Sequence, residues 1–175
     1  MEKFRELGLD GDILKGVADL GFETPSPVQE KAIPVILGEE NDLVVLAQTG
    51  TGKTAAFGLP LLQKINPEWN SVQILVLSPT RELCMQIGSD LKNYAKYLPD
   101  IRVTCVYGGT DIRRQMKELQ KGVHVVVATP GRLVDLLNRK ALNIETVFAV
   151  VLDEADEMLN MGFQEDLDFI LSNTP

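Results

Sequence analysis

The stretch "NDLVVLAQTGTGKTAAFGLPLLQKI", Asn41 to Ile65, decides the fold. "DLVVLA" (Asp42–Ala47) is a short apolar run with polar flanks, which predicts a buried strand. "AQTGTGKT" (Ala47–Thr54) follows it, and "GKTAAFGLPLLQKI" continues at helical spacing. Strand, glycine-rich turn and helix in that order fit the phosphate loop G-x-x-x-x-G-K-[ST], with Ala47 at the first glycine position. Gly50 and Gly52 let the backbone of Gln48, Thr49 and Thr51 curl so that successive N–H groups form an anion nest. Lys53 brings a positive charge to the β- and γ-phosphates, and Thr54 offers a hydroxyl to Mg²⁺. A turn that merely capped a helix would have no use for Gly-Lys-Thr in this context.

Outward from this stretch, apolar β-rich runs alternate with amphipathic ones. "VQILVLS" (Val72–Ser78) precedes the helical "TRELCMQIGSDLKNYAKYL", and "IRVTCVY" (Ile101–Tyr107) leads through Gly108-Gly109 into "DIRRQMKELQKG". "HVVVAT" (His124–Thr129) leads into "PGRLVDLLNRK", and "VFAVVL" (Val147–Leu152) into "DEADEMLNMG". The strands are continuously apolar, as in a parallel sheet covered on both faces. The expected fold class is therefore α/β, doubly wound and mostly parallel. Every Gly, Thr, Arg or Asp cluster falls just after a strand and before a helix. That carboxyl edge is where open α/β sheets bind ligands.

Asp153 and Glu154 stand at the end of the last of these strands. There an aspartate can hold the water shell of Mg²⁺, and Glu154 can orient and deprotonate an attacking water. The competing reading is an acidic helix start favoured by the dipole, which is preferred for Glu157. "SPTRELCMQI", "YGGTDIRR" and "ATPGRL" supply three more loops, each with an arginine: Arg81, Arg113 or Arg132. Arginines and open backbone amides suit a phosphodiester chain, and no aromatic platform stands ready to read bases. Arg113 and Arg114 are as readily solvated surface charges. Arg81 and Arg132, fixed beside Pro-Thr and Pro-Gly, read as functional.

Further upstream, Ser26-Pro27-Val28-Gln29 has the form of a helix start, with Ser26 as N-cap, Pro27 in the first turn and an S-x-x-Q capping box. Whether Gln29 only closes that helix or also touches a ligand stays open at this point. The remaining features set bounds. The chain has 175 residues, 45% of them hydrophobic and 24% charged, which fits one globular domain. No apolar run approaches a membrane span, and "MEKFRELGLD" has no signal-peptide core. Cys84 and Cys105 lack paired spacing and read as reduced, half-buried thiols of a cytoplasmic protein. His124, the only histidine, sits beside a valine run and reads as a strand residue rather than a ligand. The net charge of −8 speaks against a nonspecific nucleic-acid binder while leaving room for a local basic groove.

These motifs together resemble the DEAD-box ATP-dependent RNA helicases. "AQTGTGKT" at Ala47–Thr54, "PTREL" at Pro79–Leu83, Gly108-Gly109, "TPGR" at Thr129–Arg132 and "DEAD" at Asp153–Asp156 stand in the family's order. The resemblance runs from Phe4 to about Phe163, and Ala47 is normal for the family. It implies a single RecA-like first domain over residues 1–175, with an adenine-recognition segment over 1–40 and an ATP- and RNA-binding core over 41–175. It implies ATP and Mg²⁺ as cofactors, with Lys53, Asp153 and Glu154 catalytic and Thr54 and Asp153 holding the metal, largely through water. Gln29 is the implied adenine reader, its amide matching the donor and acceptor on that base edge. Phe4 is implied to stack on the base (its other reading is a core anchor), with Phe22 and Thr24 nearby in the same nucleotide segment. Pro79, Thr80, Arg81, Gly108, Gly109, Arg113, Thr129, Pro130, Gly131 and Arg132 are implied to grip single-stranded RNA by its backbone. Ala155 and Asp156 are implied to couple to a second RecA-like domain carrying an arginine finger. The chain ends at "ILSNTP" before the family's Ser-Ala-Thr motif, so the expectation is an amino-terminal piece of a longer, monomeric protein without membrane partners. Two other readings stay open: a non-catalytic, nucleotide-gated RNA- or partner-binding module, and a RecA-like DNA translocase.

Overall fold

The computed structural model describes residues 1–38 and 40–175. The chain divides into two compact units, Met1–Asn66 with Ser89–Asp100 and Pro67–Gly88 with Ile101–Pro175. The first unit is helical: α1 (Glu2–Glu6), α2 (Gly11–Asp19), α3 (Pro27–Gly38), α4 (Lys53–Lys64) and the last turns of α5 (Arg81–Tyr94). Helix α3 packs along α4, and α2 also touches α4. Phe4, Leu9, Ile33, Leu59 and Leu62 are fully or almost fully buried. Gly16 permits a tight crossing of α2 against the end of α5: a Cβ there would lie 2.7 Å from the Tyr94 carbonyl oxygen.

The second unit carries the sheet. Strands β1 (Ile74–Leu77), β2 (Val103–Val106), β3 (Val125–Ala128) and β4 (Ala149–Leu152) pair in the order β2-β3-β1-β4, all parallel. Leu75 stands opposite both Val126 and Val150. Helices α6 (Ile112–Gln120), α7 (Pro130–Asn138), α8 (Ala155–Asn160) and α9 (Gln164–Ser172), with the first turns of α5, flank it. Leu75, Leu77, Val126 and Ala128 join Leu119, Leu133, Leu136, Met158 and Ile170 in one apolar cluster. The alternate residues Ile74, Val76, Val125 and Val127 are equally buried, so both faces of the central strands are covered. This is why β1 and β3 read as unbroken apolar runs. From β1 the chain passes β3 to reach β2, and from β3 it passes β1 to reach β4, so right-handed crossovers carry these two connections over opposite faces of the sheet. The α/β doubly wound expectation holds.

The strand expected over Asp42–Ala47 does not form. The segment runs without helix or ladder, with Val44 87% and Leu46 96% exposed. An apolar run becomes a strand only when its N–H and C=O groups find a ladder partner, and the described residues of the first unit contain no other strand. Hydrophobicity alone cannot supply that partner. The helix expected after it is present as α4, with Gly52 at its N-cap.

Cys84 is fully buried rather than half-buried, its thiol donating to the Val127 carbonyl at 3.2 Å; Cys105 is half-buried. A hydrogen bond with Cys105, then burial, pushes the Cys84 thiol up, so it stays protonated. His124 precedes β3 and is buried. Its Nδ1 accepts from the Arg102 N–H at 3.0 Å, so Nε2 carries the proton and donates to the Pro67 carbonyl at 3.3 Å. Both ring nitrogens serve the fold, and the residue lies one position before β3 rather than in the strand expected from His124.

Candidate functional site

In the first unit, α3 begins as its sequence dictates. The Ser26 N–H donates to Gln29 Oε1 at 3.0 Å, and the Gln29 N–H approaches Ser26 Oγ at 3.5 Å, closing the capping box. The other half of the same amide reaches further: Gln29 Nε2 donates to the Gly52 carbonyl at 3.2 Å, and the residue is buried. Gln29 therefore caps its own helix and holds the glycine-rich turn at once. That turn is otherwise open. Gln48, Thr49, Gly50 and Thr51 are exposed, and Thr51 Oγ1 donates back to the Gln48 carbonyl at 2.6 Å. Gly50 and Gly52 have φ of 83° and 85°, the left-handed region that glycine adopts without strain. A Cβ on Gly52 would lie 2.4 Å from Gln29 Nε2, so this position also needs a bare backbone for close approach. Lys53 and Thr54 follow, half-buried, in the first turn of α4.

Phe4 is completely buried and stacks on Phe22 with ring centroids 6.4 Å apart and planes 24° apart. Its core-anchor reading has the geometry, and the half-buried Phe22 is the aromatic with surface to offer a base. Phe22 in turn meets Tyr94 at 6.4 Å, and Thr24 is exposed.

In the second unit the four strand ends point one way, and the loops after them gather the remaining motif residues. After β4, Asp153 is buried and its backbone N–H donates to the Leu77 carbonyl at 2.9 Å. Glu154, with φ 53° and ψ 51°, is held in the left-handed region as the N-cap of α8. For a residue with a Cβ that conformation costs roughly 1–2 kcal/mol, and strain of this kind collects at functional positions. Ala155 and the exposed Asp156 open α8, and Glu157 lies in its first turn as an acidic helix start.

The other three loops are tied to one another. After β1, Pro79 is buried, and Thr80 Oγ1 accepts from the Leu83 N–H at 3.2 Å to start α5. The exposed Arg81 lays its guanidinium over the Tyr107 ring, 4.9 Å from the centroid. After β2, Gly108 and Gly109 are exposed, with Gly109 at φ 85°. After β3, Thr129 and Pro130 begin α7, Gly131 is exposed and Arg132 is half-buried. Arg132 donates to the Thr110 carbonyl at 3.0 Å and to Gln115 Oε1 at 2.9 Å, so two of its nitrogens hold the neighbouring loop. Arg113 turns back onto Asp111, its guanidinium and backbone N–H both bonded to that carboxylate, which they hold below the usual carboxylate range. Sequence patterning singles out neither Tyr107 nor Gln115. A signal for Gln115 existed: it shares the buried stripe of α6 with Leu119, where a glutamine is out of place unless it has partners.

A parallel sheet with polar loops at its carboxyl edge, in a chain that also carries a glycine-rich phosphate-type turn, defines a RecA-like α/β protein. The family model described as DEAD/DEAH box helicase matches residues 26–175, and the chain belongs to that family. It is 52% identical over its whole length to the ATP-dependent RNA helicase CshA of Listeria monocytogenes, and 51% identical to the DEAD-box ATP-dependent RNA helicase CshA of Bacillus anthracis. The chain spans 33% of the length of each. Among solved structures it resembles a DEAD box protein from the hyperthermophile Methanococcus jannaschii, with a TM-score of 0.91 and 40% identity, covering 99% of this chain and 47% of that one. It also resembles Saccharomyces cerevisiae Dbp5 in a variant complex with Gle1 and IP6, with a TM-score of 0.89 and 35% identity, over 99% of this chain and 44% of that one.

Proposed function

We propose that residues 1–175 form the single ATP- and RNA-binding first RecA-like domain of an ATP-dependent RNA helicase. The whole protein would couple ATP hydrolysis to local unwinding of RNA duplexes or remodelling of RNA–protein complexes. The observation that carries this reading is the linked set of loops after β1, β2 and β3. They expose glycine backbone and guanidinium edges, and their aromatic Tyr107 is engaged by Arg81. Such a surface grips phosphates and does not read bases.

For the nucleotide, the nest at Gln48–Gly52 and the charge of Lys53 suit the phosphates. Gln29 offers donor and acceptor to adenine, and Phe22 offers an aromatic face. Magnesium suits the chemistry of the residues proposed for it: the Thr54 hydroxyl in the first unit and the buried Asp153 carboxylate in the second are each oxygen donors of the kind a hard ion takes alongside phosphate and water. No cluster of three or more His, Cys, Asp or Glu among the described residues forms a full protein cage that would argue for another metal. When bound, the ion would neutralise charge on the β- and γ-phosphates. Glu154 would then orient the attacking water and take its proton. Ala155 and Asp156 would pass the nucleotide state to a second RecA-like domain. That domain would supply an arginine finger worth about 10³–10⁵ in rate, so this domain alone would turn over slowly. The whole protein would work as a monomer in the cytoplasm; separately, no helix among the described residues is long and apolar enough to cross a membrane.

The test is ATP hydrolysis by the full-length protein with single-stranded RNA or DNA of one sequence. RNA stimulation that Lys53→Ala and Glu154→Gln each abolish is the expected result. Equal stimulation by DNA would favour a translocase. Binding of RNA and ATP without turnover would favour a non-catalytic module.

A further inference from the structure

Gln115 is buried, and its amide uses three hydrogen-bonding positions on two loops. Nε2 donates to the Tyr107 carbonyl at 3.1 Å and to Thr110 Oγ1 at 2.8 Å, and Oε1 accepts from Arg132 Nη1 at 2.9 Å. Tyr107 and Thr110 are the two ends of the turn that carries Gly108 and Gly109. The glycines have no side chains with which to hold themselves, so the turn is set from its ends, and one glutamine binds both. The same glutamine decides how Arg132 lies. Through Nη2 alone, on the Thr110 carbonyl at 3.0 Å, the guanidinium could swing about a single bond. The second contact on Gln115 fixes its plane, as two-point contacts do for arginine.

We propose that Gln115 is a positioning residue for RNA binding: it holds Arg132 and the 107–110 turn in one arrangement, so RNA affinity depends on a side chain that is itself buried. This rests on the reading of these loops as the RNA grip. Without the amide, one Arg132 nitrogen loses its partner and the Tyr107 carbonyl keeps only the Thr110 hydroxyl at 3.5 Å, in a partly dry site, and the cheapest remedy is for the turn to move toward water.

The experiment measures, in the full-length protein, the poly(U) concentration that gives half-maximal stimulation of ATP hydrolysis, with thermal melting run on each variant. Gln115→Leu should raise that concentration roughly tenfold to a hundredfold, the range for one lost hydrogen bond to a charged group. Gln115→Glu keeps the acceptor for Arg132 but sets an oxygen in place of the donor to the Tyr107 carbonyl, so it should recover only part of the loss. The double variant Gln115→Leu/Arg132→Met should lose clearly less than the two single losses combined, because both changes act through one arrangement. Gln115→Met, closer in length to the parent, replaces the leucine variant if that melts early. Additive losses in the double variant, or a Gln115→Leu shift below about twofold, would overturn this inference alone. A parent protein that poly(U) neither binds nor stimulates would overturn the RNA reading and this inference with it.

Discussion

Two glycine turns, Gln48–Gly52 and Tyr107–Thr110, look alike in sequence and are held in opposite ways. Each follows an apolar run and contains a glycine at φ 85°. The first is held by the Gln29 amide, the group proposed to read adenine, so a bound nucleotide competes with the contact that holds the turn. The second is held at both ends by Gln115 and at Thr110 by Arg132 as well, and the exposed glycines remain available. A turn whose support is also its ligand reader is built to change on binding. A turn supported at its ends is preset.

The strongest test of that contrast places the same alanine in both turns. In Gly52→Ala the left-handed backbone costs about 1–2 kcal/mol, and the new Cβ, 2.4 Å from Gln29 Nε2, also displaces the supporting amide. ATP affinity should fall about thirtyfold or more, with a lower melting temperature, in a fluorescent-nucleotide titration. In Gly109→Ala the nearest atom is Arg81 Nη1 at 3.9 Å, so only the backbone cost of about 1–2 kcal/mol applies. Equal losses in the two variants would erase the distinction.

Gln29→Ala should have a smaller and divided effect. Loss of the capping box should lower stability by roughly 0.5–2 kcal/mol in denaturant melts. Preference for ATP over GTP should also fall, which a cap alone would not cause. An unchanged nucleotide preference would leave Gln29 as a cap and a support only.

The smallest effect belongs to Asp111 beside the second turn. Bonds from Arg113 hold its carboxyl below the usual range. The resulting stabilisation is present above the ordinary carboxylate range and is lost as pH falls through the lowered value. The pair is exposed and screened by solvent, so Asp111→Asn should melt close to the parent at neutral pH, with the difference vanishing in acid. A gap that widens on acidification has the wrong sign for this ion pair.

Much of the molecule was legible in one dimension. Four apolar runs became β1 to β4, the central β1 and β3 because a strand covered on both faces must be apolar throughout, and the polar residues after all four landed at the carboxyl edge because a parallel sheet turns all its strand ends one way. The S-x-x-Q signature at Ser26–Gln29 closed as written, since capping is local chemistry. Long-range partners were not legible. Arg132 reads as a hand for RNA in the string, yet it braces Thr110, 22 residues away. Phe4, implied by the resemblance to stack on the base and otherwise readable as a core anchor, lies wholly inside the core.

By itself, then, the sequence determined the types of the elements that did form, the chemistry of each loop and the family, because periodicity, capping and motif spacing act over a few neighbouring residues. Tertiary structure decided which of those residues are spent on holding the others. Asp42–Ala47 remained unpaired as a strand for want of a ladder partner, Gln29 acquired a second role at Gly52, and Gln115 became the link between two loops. Each outcome turns on a hydrogen-bonding group meeting a partner distant in the chain, and only folding brings such partners within 3 Å or so of one another.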